Sequence, residues 1–406
     1  MKGIKDFMEK TGTKDMLIKS WPLIIAACFE MIVGVMGYAD YFLPGNRFFL
    51  WGVFLVYIVC AVTNHLTKSE WIGFIALMLI GALQYYFSGR NTMIKMVAFL
   101  FACKGKDTEW MRKLMAYTLL IECLVIFFIS FFFHFRYMWV MDYRIDRGFQ
   151  GKRYSFGFVN SNCFEFFMVI LVWMLIFICH EKMKSWVRIL ILLSMWGITW
   201  LTDSRTGFIL GSMIYILFWL EYGWEKRTQR SLAKSVPLIS WLMKNRSHIL
   251  LVIQGIMMLS FMLISIFLAC KLDNPILNQI DYFISGRGLQ LGTSRYGDEL
   301  HLGYAENWTL FSNPLNGNYY DLGYVQIFYR FGIIPGMIYL GYIMYVIFIL
   351  WTSKNVKGQI MMLGLTSYLF MESLYFGNST TQDFLIVNAT FLFYESKRSL
   401  KNMNGG

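Results

Sequence analysis

Charge is scarce in this chain. Only 15% of its 406 residues are Asp, Glu, Lys or Arg, against 57% hydrophobic and 18% aromatic, a balance that excludes a soluble globular protein of ordinary composition. Proline is scarcer still, with six residues. No Pro- or Gly-interrupted pair of helices recurs at matching positions in two halves, and no internal repeat is visible, so a transporter built from inverted repeats finds little support. The seven cysteines (Cys28, Cys60, Cys103, Cys123, Cys163, Cys179, Cys270) lie almost all within apolar runs, and no pair has the spacing a zinc or redox site needs. They read as small apolar side chains. The first twenty residues lack a compact apolar core and a small-residue cleavage site, which argues against a signal peptide. Lys2, Lys5, Lys10, Lys14 and Lys19, interspersed with Ile4, Phe7, Met8 and Leu17, suit instead an uncleaved basic segment on the cytoplasmic membrane surface.

Several chemistries are missing as well. There is no P-loop, no Gly-rich dinucleotide turn and no G-x-S-x-G elbow. The one acidic pair two residues apart, Asp107 and Glu109, belongs to a segment expected to be cytoplasmic, so no D-x-D clamp for a metal diphosphate faces outward. No metal site and no cofactor are expected.

What the chain does have is apolar runs. A crossing needs roughly 20 apolar residues, fewer where protein shields the segment, and on that ruler spans fall at 21–39, 48–64, 71–88, 91–103, 114–133, 156–180, 187–201, 206–221, 249–269, 332–351, 359–376 and 383–394. The expected architecture is an all-α integral membrane protein of about 12 transmembrane helices: one polytopic membrane domain over 1–406, with both termini cytoplasmic and a large extracytoplasmic loop at 270–331.

The net charge of +12 would suit nucleic acid in a soluble protein, but here its meaning depends on the side of the membrane on which it lies. With this topology 24 of the 37 basic residues are cytoplasmic and 13 external, as the positive-inside pattern requires, so a membrane, and no nucleic acid, is the partner of that charge. The residue types divide further: 18 of the 24 are Lys, whereas 10 of the 13 are Arg. Arginine presents a planar fork that grips phosphate or carboxylate bidentately. Either the outer face is built to hold an anion, or these arginines anchor at the outer leaflet.

Three outer stretches carry the polar chemistry. In the first, His134 to Phe167, Arg144, Arg147, Lys152 and Arg153 precede a helix that opens with Asn160, Asn162 and Glu165. Asn162 and Glu165, three apart, share a helix face. A charge at that depth costs about 3 kcal/mol against lipid, so Glu165 should face the bundle interior, as a functional group or as a packing contact. In the second, Leu201 to Gly211, Asp203, Ser204 and Thr206 can cap a helix start, and Arg205 stands beside a helix N-terminus that favours anions. In the third, 270–331, Arg287 follows Ser285-Gly286, His301 lies mid-loop, and the run Asn316 to Tyr324 leads into Tyr329-Arg330-Phe331-Gly332. Its tyrosines, Tyr319, Tyr320 and Tyr324 among them, offer flat faces on which sugar rings stack.

R-x-x-x-G-F-x-N-x-N (Arg153 to Asn162), D-S-R-T-G (Asp203 to Gly207), and S-G-R followed by Y-x-D-x-G-Y-x-Q-x-x-Y-R-x-G-I-I (Tyr319 to Ile334) together resemble the O-antigen ligase and Wzy-type polysaccharide polymerase superfamily. The resemblance covers about Arg136 to Ile338. It implies a metal-independent C-type glycosyltransferase in a bacterial cytoplasmic membrane, active on the outer face. Such an enzyme polymerises undecaprenyl-diphosphate-linked oligosaccharide repeat units into a capsule, exopolysaccharide or O-antigen, with flippase and chain-length-regulator proteins as partners. Arg205 and Arg287 match the arginine motifs and would bind the diphosphate, supported by Arg153 and Arg330; Asn162, Tyr319, Tyr320 and Tyr324 would hold sugar. Ligases commonly carry His-Asn near the position of Asp321, and that departure favours polymerase over a ligase that moves finished glycan to another acceptor. A lipid-linked oligosaccharide flippase is the reading from another class. A diphosphate leaves readily, so catalysis can rest on positioning and on arginines that stabilise charge, with Asp321, Glu165 or His301 taking the acceptor proton.

Overall fold

The computed structural model describes residues 13–39, 46–134, 138–144, 149–179, 183–228, 237–271, 274–284, 287–288, 291, 303–314, 320–372 and 383–404. Every apolar run expected to span overlaps a helix over its described residues. In chain order these are α1 (Thr13–Gly37), α2 (Asn46–Thr63), α3 (Lys68–Ser88), α4 (Thr92–Ala102), α5 (Thr108–Phe133), α6 (Ser161–Cys179), α7 (Ser185–Leu201), α8 (Ser212–Thr228), α9 (Pro237–Ala269), the short α10 (Pro275–Phe283) and α11 (Gly323–Phe331), α12 (Ile333–Thr352), α13 (Val356–Met371) and α14 (Phe384–Asn404). Among the described residues, seven stretches are long and apolar enough to cross a membrane, at Ser20–Gly37, Lys68–Ser88, Thr108–Phe133, Ser161–Cys179, Gly207–Glu225, Ser240–Ala269 and Ile333–Thr352. The chain is a multi-pass, all-helical membrane protein in its architecture.

Two sequence signals set the helix limits directly. Thr67 caps α3 through a capping box with Glu70, which satisfies two orphan amides at once. Gly157, at φ +91°, sits against Ser130 with no room for a Cβ, so α6 starts at Ser161 rather than at residue 156. The short α4 carries Lys95, which is buried, beside the equally buried Glu30 whose charge it feels. Glu30 also accepts a hydrogen bond from Tyr57 Oη at 2.8 Å. A lysine inside an apolar helix is tolerated here because protein, not lipid, surrounds it.

Two features depart from the expected picture of membrane helices with a polar outer loop. Trp139–Arg144 (β1) and Phe149–Tyr154 (β2) pair antiparallel, with Val140 opposite Arg153 and Met141 opposite Lys152. This hairpin occupies the outer stretch before α6, and its period-two side-chain alternation sets Arg153 and Lys152 on opposite faces. The second feature lies inside 270–331, where α11 is buried along all nine of its residues. It packs against α9, α12 and α13. Gly323 begins α11 in contact with the Leu369 carbonyl, where a Cβ would overlap that oxygen. This part of the loop is therefore core. Trp308 stacks on Phe328 of α11 at 5.2 Å between centroids and donates from Nε1 to the Gly303 carbonyl at 3.1 Å, and Ser312 Oγ donates to the Tyr329 carbonyl at 3.2 Å. These contacts pin the 303–314 segment to the bundle.

Candidate active site

Arg153, near the end of β2, reaches the place where the start of α6 meets the end of α7. Its Nε donates to the Thr202 carbonyl at 2.7 Å and its Nη2 to Asn162 Oδ1 at 2.7 Å. Thr202 caps the C-terminus of α7, where backbone carbonyls lack intrahelical partners and the helix dipole favours a cation. Asn162 lies in the first turn of α6. The guanidinium thus holds three elements together and is itself buried.

After Thr202 the chain turns sharply. Asp203 adopts φ +48°, a left-handed conformation that Asp and Asn tolerate better than most residues, and Ser204 N–H donates to the Thr199 carbonyl at 3.0 Å. Arg205 follows on the exposed side of this turn, flanked by the exposed Trp200, Phe208 and Ile209. Gly207–Gly211 then forms a π-helical turn that leads into α8, a widened geometry common at functional sites. Its local reason is visible: Gly207 lies against Glu165, and a Cβ there would overlap Glu165 Oε1.

Glu165 is fully buried one turn into α6. Its Oε2 accepts from Tyr368 Oη at 2.6 Å, and the Ser204 hydroxyl interacts with the same carboxyl. One turn beyond Tyr368, Glu372 stands just past the end of α13 and is also buried. Glu372 Oε1 accepts from Arg287 Nη2 at 2.9 Å. Arg287 is held in place by its neighbour Gly288, whose N–H donates to Asp281 Oδ1 on α10 at 2.6 Å. Burial disfavours its charge, but the Glu372 and Asp321 carboxylates together hold the Arg287 guanidinium above its ordinary pKa. The charges of Arg153, Glu165 and Glu372 are close enough to interact, as are those of Glu372 and Asp321.

The structure therefore brings together five of the residues singled out in the sequence: Arg153, Asn162, Glu165, Arg287 and the half-buried Asp321. The remaining candidates are placed differently. Arg205 is exposed beside it. Arg330 is buried on α11, where its carbonyl accepts from Arg90 Nη1 at 3.4 Å. Tyr324, expected to meet sugar, is fully buried with its hydroxyl donating to the Thr366 carbonyl at 3.1 Å. Tyr320, also expected there, is buried edge-on to Tyr329 at 4.9 Å. Both make interior packing contacts. His301 and Tyr319 lie outside the described residues.

Tyr368, Glu372 and the Thr202 carbonyl were not anticipated. A signal for Glu372 did exist: it is the one acidic residue in the apolar run 359–376, and an ionisable group in such a run needs a partner and a purpose.

No protein-family model, no curated protein and no solved structure matches the chain. The site has to be read from its own chemistry: two buried guanidinium groups and two buried carboxylates, drawn from the stretch Arg153–Glu165 and from two distant positions, Arg287 and Glu372, meet at one end of the helical bundle. Such groups are costly to bury and are worth placing where charge develops or binds.

Proposed function

We propose that this protein is a metal-independent glycosyltransferase that polymerises undecaprenyl-diphosphate-linked oligosaccharide repeat units into a surface polysaccharide, on the outer face of a bacterial cytoplasmic membrane. In this reading the chain crosses the membrane 12 times with both termini cytoplasmic. The observation that carries the proposal is the convergence of Arg153 and Arg287 with Glu165, Glu372 and Asp321, beside an exposed Arg205 framed by lipid-suited side chains. A lipid diphosphate needs that combination: cationic forks for its headgroup, apolar surface for its tail and carboxylates for the acceptor.

The chemistry is a single displacement. The acceptor sugar hydroxyl attacks the anomeric carbon of the donor, a new glycosidic C–O bond forms, and the bond from that carbon to the diphosphate oxygen breaks. The leaving diphosphate keeps the electron pair, and guanidinium groups stabilise the charge it gathers. The hydroxyl proton passes to a carboxylate, with Asp321 and Glu165 the available candidates among the described residues. Polymerisation supplies its own acceptor, the terminal hydroxyl of the next lipid-linked repeat unit.

The test is reconstitution. Purified protein given a lipid-linked repeat unit should yield a ladder of longer lipid-linked glycans. Glycan transferred to a different acceptor would instead identify a ligase, and translocation of the lipid-linked oligosaccharide without chain growth would identify a flippase.

A further inference from the structure

The Arg287–Glu372 pair has an unequal geometry. Glu372 Oε1 occupies one edge of the guanidinium, through Nη2 at 2.9 Å, while Nη1 is buried with no hydrogen-bond partner among the described residues. Arg287 is only 8% exposed and Glu372 3%, so water cannot readily serve the vacant edge. A buried donor left without an acceptor is costly. An arginine fork engaged on one nitrogen, with no acceptor for the next among the described residues, suits a bidentate anion.

We propose that Glu372 is a built-in counter-anion which occupies the diphosphate site of the empty enzyme, and that the substrate's diphosphate displaces it from Arg287. The idea rests on the diphosphate-linked donor proposed above and identifies where that headgroup docks. Without a carboxylate at position 372, Arg287 would be a buried cation with only Asp321 and the more distant acidic groups to offset it, which is an unstable arrangement. With the carboxylate present, the site stays formed between turnovers. The cost is competition: every diphosphate that binds must displace a buried ion-pair partner. Several charges surround the pair. Asp321 faces it from the segment before α11, Arg153 from β2, Glu165 from α6 and Tyr368 from α13. The displaced carboxylate can therefore turn toward Arg153 rather than into apolar surroundings.

The signature is an affinity that rises when a residue of the site is removed. Binding of inorganic pyrophosphate, of a short-chain polyprenyl diphosphate and of phosphatidylglycerol should be measured by calorimetry on the purified full chain in detergent. Glu372→Gln should bind both diphosphates about tenfold more tightly than the wild type. Arg287→Gln should lose at least tenfold, and the double variant should match Arg287→Gln alone. Thermal unfolding supplies a second readout: Glu372→Gln should melt lower than wild type without ligand and gain more from pyrophosphate. Should Glu372→Gln not fold, Glu372→Asp, whose carboxylate is one methylene shorter, should show the same tightening to a smaller degree. Unchanged or weaker diphosphate binding in the Glu372 variants would overturn the proposal, as would equal tightening toward phosphatidylglycerol, which would mark a lipid-headgroup site. Failure of the polymerisation reading is seen separately, as absence of a glycan ladder from a wild type that still shows these diphosphate affinities.

Discussion

Gly207 and Glu165 meet where no side chain fits between them: a Cβ on Gly207 would overlap Glu165 Oε1. The contact joins the π turn that follows Arg205 to the buried carboxylate of α6, so the position of one helps to set the position of the other.

Gly207→Ala should accordingly displace either Glu165 or the turn. Overpacking of this kind costs about 1–3 kcal/mol. The expected result is a lower melting temperature with polymerisation reduced at least tenfold. Gly211→Ala, whose Cβ would meet the flexible Met195 side chain at 3.1 Å and Val169 at an ordinary 3.7 Å, should be milder in both readouts. Equal effects of the two substitutions would remove the special role assigned to the Gly207–Glu165 contact.

Tyr368 and Glu165 should behave as a unit. Tyr368→Phe removes the hydroxyl that donates to Glu165 Oε2 at 2.6 Å, and an ordinary hydrogen bond contributes about 0.5–1.5 kcal/mol. Activity should fall by about twofold to tenfold. Because both side chains serve one interaction, Tyr368→Phe added to Glu165→Gln should lower activity little beyond Glu165→Gln itself. Fully multiplicative losses in the double variant would separate the two residues.

The three arginines differ in how far lysine can replace them. Arg153 uses Nε on the Thr202 carbonyl and Nη2 on Asn162, two bonds in divergent directions that one ammonium cannot reproduce. Arg153→Lys should therefore cost at least tenfold in kcat/KM and lower thermal stability. Arg205 is exposed, and in the proposed reaction it would act through charge and fork toward the incoming headgroup, so Arg205→Lys should raise KM for the lipid donor several-fold with kcat nearly kept, and without loss of stability. Arg287→Lys should lose activity through the diphosphate itself. Full activity in both Arg205→Lys and Arg287→Lys would dismiss the arginine clamp.

The fold was legible in the chain to the extent that hydropathy reports it. All the apolar runs became helices, because a run near 20 residues long has no other way to satisfy its backbone away from water. Boundaries were less legible. Gly157, at positive φ, delays α6, and α9 extends back to Pro237, well before its apolar part begins. The hairpin was missed although its two strands are neighbours in sequence, whereas the burial of α11 was not legible because it depends on contacts between distant segments: Gly323 against Leu369, and Gln84 Nε2 donating to the Phe331 carbonyl at 3.3 Å. The same distinction holds in the site. Arg153, Asn162 and Glu165 are neighbours in sequence and could be read together, whereas Glu372 lies 85 residues from Arg287. The burial of Tyr320 and Tyr324 was not legible for a related reason: an aromatic residue in a polar loop offers the same letter to a sugar as to the core, and the sequence alone does not report burial.

The topology proposed for the enzyme places the 270–331 segment outside the cell, and the cysteines provide a direct check of it. Cys270 is exposed just past the end of α9, whereas Cys60, Cys103, Cys123 and Cys163 are buried and Cys28 and Cys179 half-buried. A membrane-impermeant maleimide reacts with accessible thiolate and not with buried thiol. Applied to intact cells, it should label the wild type, and Cys270→Ser should abolish most of that label. Permeabilising the cells first should add little at position 270. Cys179 belongs to the other end of α6 from Asn162 and should become reactive only after permeabilisation, if it reacts at all. Labelling of Cys270 solely in permeabilised cells would invert the chain in the membrane. The Arg153–Glu372 site would then face the cytoplasm, and a glycosyl transfer to exported repeat units would have no route to it.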